Sequence, residues 1–73
     1  MSIWEELNKL AWELSTDEII KRVKKMKDKD LAKILLQKKI ALVRYKMYTT
    51  KDEELRKKLE EEERKLVELW REL

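Results

Sequence analysis

Seventy-three residues with a net charge of +3, 48% charged and 42% apolar, make one small domain and are too hydrophobic for a disordered chain. With no His and no Cys there can be no disulfide and no imidazole-dependent nucleophilic triad, and the usual zinc, haem and iron–sulfur ligands are absent. The longest unbroken apolar run, Ile40 to Val43, is far short of the roughly 20 residues of a membrane span, and no basic-then-apolar signal segment is seen. The expectation is a cytoplasmic-type soluble chain, recombinant in character, that uses no cofactor, metal or membrane and is no enzyme.

Gly 0 and Pro 0 remove the usual turn markers, so helix starts are read from capping boxes, in which a Ser or Thr hydroxyl accepts from the third helical amide while a Glu reaches back. Ser2 with Glu5 opens a helix over 3–14, whose apolar stripe is Ile3, Leu7, Leu10 and Leu14. Trp4 borders that stripe and Trp12 lies off it. Ser15 with Glu18 opens a second helix over 16–27 with Ile19, Ile20, Val23 and Met26 on one face. A bare Asp28 or Asp30 caps a third over 30–48.

This third helix has two apolar faces. Leu31, Ile34, Leu35, Ala41, Leu42, Tyr45 and Tyr48 form one; Ala32, Leu36, Ile40, Val43 and Met47 form the other. It therefore needs neighbours on both sides, from its own chain or from a second copy. Thr50 with Glu53 opens the fourth helix, over 51–73, with Leu55, Leu59, Leu66, Leu69, Trp70 and Leu73 inward. Pairs such as Glu53 with Lys57 and Glu61 with Lys65 lie outward. Glu62 interrupts the inner stripe and Lys38 interrupts the first face of the third helix, so an antiparallel hairpin would set them level as a register-fixing pair. The junctions at 27–30 and 49–50 read either as turns or as continuous helix, the latter requiring helix exchange with a partner. The fold expected is all-α: one domain over 1–73, a compact bundle of four helices, two short and two long, with the third central.

Two functional surfaces follow. The second face of the third helix, Leu36, Ile40, Val43 and Met47, is the candidate for self-association as a homodimer or for contact with another protein, with Trp12 as a further contact residue. The stretch Lys21 to Lys46 holds eleven Lys and Arg against Asp28 and Asp30, a local charge of +9, between acidic ends. Within it the spacing Ile20, Val23, Met26, Leu31, Ile34 resembles the helix-turn-helix family, which implies DNA contact by the third helix through Lys29, Lys33, Gln37 and Arg44. Lys21 and Lys25 stand where that family carries a small residue and a turn Gly, and Ala32, Leu36 and Ile40 would face the groove. The acidic run Glu60 to Glu63 points around a helix, about 100° per residue, and reads as solvated surface.

Taken whole, the chain resembles de novo designed helical bundles: repeated capping boxes, short loops, and a last helix built almost wholly from Leu, Glu, Lys and Arg. It departs from them in having no Gly after its helices and in the less idealised segment Ala41 to Thr49. The Lys and Glu richness would equally suit a natural protein from a heat-loving organism. The resemblance implies a non-catalytic scaffold or a helix-mediated interaction module.

Overall fold

The computed structural model describes residues 2–73, and every regular element within them is helical: α1 (Ile3–Glu13), α2 (Thr16–Lys25), α3 (Lys29–Thr49) and α4 (Glu53–Glu72). Each start is set by a side-chain acceptor. Ser2 Oγ accepts from the Glu5 amide at 3.2 Å. At Ser15 the box is complete, with Ser15 Oγ accepting from the Glu18 amide and Glu18 Oε1 accepting from the Ser15 amide. Asp28, not Asp30, caps α3, its Oδ1 taking the Asp30 and Leu31 amides at 3.1 and 3.2 Å.

The fourth cap differs from expectation. Asp52, not Thr50, caps α4, accepting from the Glu54 and Leu55 amides at 3.0 and 3.3 Å. A carboxylate at the positive end of the helix dipole is the better acceptor, and Thr50 is occupied as the C-cap of α3, its hydroxyl accepting from the Asp52 amide at 3.2 Å. Both junctions are therefore turns, and the chain doubles back at each.

Helix ends in a Gly-free chain normally leave carbonyls without donors. Here Leu14, Met26 and Thr50 leave their helices in extended conformation, and no described residue has positive φ. Two long cations supply the missing donors. The Lys39 ammonium donates to the Ala11 and Leu14 carbonyls at 2.9 and 2.7 Å, and Arg56 Nη2 donates to the Thr50 carbonyl at 2.9 Å. Neighbouring helices thereby finish α1 and α3.

α3 lies at the centre and touches the other three helices, while α2 also meets α4. Its inner arc, Ala32, Leu35, Leu36, Ile40 and Val43, is buried together with Leu7, Ala11, Ile19, Val23, Leu59, Leu66 and Leu69. This corrects the association face read from the sequence. Leu36, Ile40 and Val43 are enclosed by α1, α2 and α4 of the same chain, with Met47 half-buried at their edge, so they are not a surface for a partner. It corrects the opposite face too, because Ala41, Tyr45 and Tyr48 point outward. The Cα framework measures 37 × 28 × 15 Å, the depth of two helical layers, so α3 is covered on its inner side and shows an outer ridge.

Candidate interaction face

The outer ridge of α3 carries Gln37, Ala41, Arg44, Tyr45 and Tyr48, all exposed and within one arc at about 100° per residue. Tyr45 and Tyr48 are 62% and 84% exposed, values that packing alone does not explain for aromatic residues. On one flank, Asn8, Ala11 and Trp12 of α1 form a groove with Lys38, Ala41 and Leu42. On the other, Val67, Trp70 and Arg71 of α4 form a groove with Gln37, Ile40, Ala41 and Arg44. Ala41 belongs to both grooves, and its small side chain is the low point of the ridge.

The three Trp and two Tyr are all the aromatic residues of the chain. All of them border this face. Trp12, 64% exposed, and Trp70 rim the two grooves, and Trp4 is tied to the same side by the Lys38 ammonium, 5.9 Å from its ring centroid. Lys33 stands in the same way over Trp70 at 5.7 Å. Arg44 Nε donates to Glu63 Oε2 at 2.5 Å across the α3–α4 seam. Aromatic bodies ringed by cations, with apolar Leu42 and Val67 between them, form the kind of surface on which binding hot spots concentrate.

The residues read from the sequence as DNA contacts lie on the α4 side of this ridge. Lys29 and Gln37 are exposed, but Lys33 is laid on Trp70 and Arg44 is paired with Glu63. Ala32, Leu36 and Ile40, the side expected to enter the groove, are in the core. Trp12 is on the surface, where a contact residue has to be.

The Lys38–Glu62 pair does not form. Lys38 turns to Trp4, and Glu62 Oε1 instead accepts the hydroxyl hydrogen of buried Thr16 at the start of α2. The lysine that goes inside is its neighbour Lys39, 5% exposed, which sequence reasoning passed over. Burial pushes its pKa below the ordinary value of 10.5, Lys46 pushes the same way, and Glu62 and Glu18 oppose them. With two of its donor directions fixed on carbonyls, Lys39 works as a strut between helices rather than as a nucleophile. Among the described residues no group of three or more carboxylates is placed to hold a metal ion.

No family model, no curated protein and no solved structure matches the chain.

Proposed function

We propose that the chain is a non-catalytic, helix-mediated protein-interaction module whose working surface is the outer ridge of α3. The observation that carries this reading is the exposure of Trp12, Tyr45 and Tyr48 on the one side of the molecule where Trp4 and Trp70 also come to the surface. Exposed aromatics scattered singly are ordinary, but a grouped set rimmed by polar side chains marks a contact site. The likeness to designed bundles belongs with the same reading. Inner arcs and caps supply a generic scaffold, while of the less idealised segment Ala41 to Thr49 the residues Arg44, Tyr45 and Tyr48 lie on this face and Val43 and Met47 pack inward.

Phenol and isopropanol, titrated as neutral probes and followed by amide and indole shifts, test this reading independently of any partner's charge. Shifts clustering at Trp12, Ala41, Leu42 and Tyr45 are the expected result. Shifts spread evenly over the four helices would overturn it.

A further inference from the structure

Five of the surface grooves among the described residues differ in their charge. The three that involve α2 each hold at least one carboxylate among their lining residues, such as Glu18, Glu68 or Glu62. The two that flank the α3 ridge hold Lys38 on one side and Arg44 with Arg71 on the other, and no carboxylate lines either. The most aromatic face of the molecule therefore carries more cations than carboxylates, with Glu63 engaged by Arg44 at its α4 edge.

Resting on the interaction reading above, we propose that this face seats an acidic amphipathic α-helix of a protein partner, in the groove between α1 and α3. Its apolar stripe would lie against Trp12, Ala41, Leu42 and Tyr45, with carboxylates on one flank meeting Lys38 and on the other, across the ridge, the Nη groups of Arg44, whose Nε is held by Glu63. Charge complementarity selects this occupant. A second copy of the chain is disfavoured, because a two-fold contact through this face would press two copies of the same cation-bearing patch together. A single-stranded nucleic acid would use the same cations and would have to stack on Trp12, Tyr45 and Tyr48, since Lys38 and Lys33 already lie over the rings of Trp4 and Trp70; it is the rival occupant that the test includes. The geometry also suits a helix: Lys38 to Tyr48 spans about 15 Å of α3, the length of about ten helical residues, and Ala41 midway lets a second backbone come close.

The test uses the full chain and three probes: a helical peptide with Leu at core spacing and Glu elsewhere, the same peptide with Lys in place of Glu, and single-stranded oligothymidylate. Binding is read from the Trp12 indole signal and from the amide shifts of Asn8, Lys38 and Ala41. The acidic peptide should bind saturably and lose affinity with added salt. The basic peptide should be weaker by roughly tenfold or more, and Lys38→Glu should shrink that preference without changing the far-UV spectrum. Equal binding of both peptides, or binding of oligothymidylate alone, overturns the acidic helix. If phenol still maps to this face in either case, the interaction reading survives and only the class of partner falls. If phenol fails to map there as well, both fall.

Discussion

The Lys39 ammonium donates to the Leu14 carbonyl at 2.7 Å, so a side chain from the middle of α3 closes the open end of α1. The Ala11 carbonyl takes a second bond from the same nitrogen. Lys39→Met keeps most of the stem volume but leaves those acceptors without their donor, whereas only replacement of every partner by apolar groups comes near neutral. The expected loss of stability is about 1–3 kcal/mol, measured as a shift of the urea midpoint at constant slope. A variant as stable as the native chain would mean that water satisfies both carbonyls and that the strut contributes nothing.

The same residue gives stability a pH dependence of known sign. Burial, reinforced by Lys46, lowers the Lys39 pKa in the folded chain below 10.5, while Glu62 and Glu18 pull it back. Between the folded value and 10.5 the unfolded chain binds more protons, so Lys39 makes folding more favourable as pH rises through that window. Below it, the cost of holding a buried cation is present in full. The stability gap between the native chain and Lys39→Met should therefore widen as pH rises toward 10.5. A gap that narrows would reverse the assignment and leave the ammonium as the better accommodated form.

At the last turn the structure ranks two neighbouring caps. Asp52 takes two helix amides, whereas Thr50 takes only the amide of Asp52. Asp52→Ala should cost about 1 kcal/mol and Thr50→Ala less. Thermal melts of the two variants decide the order, and a larger loss at Thr50 would return the helix start to the Thr50–Glu53 box.

That misplaced cap shows where the sequence was legible and where it was not. Four helices and their order followed from apolar period and capping residues, because those signals are local. Thr50 and Asp52 are both good caps two residues apart, and only the turn geometry chooses between them. For α3 the difficulty was greater. Both faces are apolar, and spacing within the helix does not say which of them its own chain covers. The inner arc Ala32, Leu36, Ile40, Val43 was itself continuous, but Lys39 beside it disguised its width, since a lone lysine in a mixed helix reads as surface. Its burial depends on two carbonyls at the end of a different helix, which no spacing within α3 reveals. The outer face escaped for a related reason: its members come from α1, α3 and α4, and no single stretch of chain displays them together.

The two sides of α3 should separate cleanly on truncation. Leu36→Ala opens a cavity at a site with no exposure and should cost about 2–5 kcal/mol, a loss comparable with the whole stability of so small a domain. Tyr48→Ala removes a side chain that is 84% exposed and should stay within about 0.5 kcal/mol of the native chain. Because Leu36, Ile40 and Val43 are used up inside one chain, light scattering should give the 9.0 kDa of a single copy across a concentration series. A mass near twice that value would put helix exchange back in play.

The sharpest prediction concerns Glu62, which lies near Lys39 and Thr16 and forms a hydrogen bond to the threonine. Thr16 is 4% exposed at the first turn of α2, so its hydroxyl hydrogen has no water to turn to, and a carboxylate acceptor makes the bond charge-assisted. Such a bond contributes about 1.5–3 kcal/mol, enough for a double-mutant cycle with Thr16→Val and Glu62→Gln to show clear coupling. The parallel cycle with Lys38→Met and Glu62→Gln should be additive within about 0.5 kcal/mol, because Lys38 stands over Trp4 on the other side of α3. Coupling in the second cycle and none in the first would restore the sequence-derived pair, rotate α3 about its axis, and turn Tyr45 and Tyr48 away from the face on which the proposed function depends.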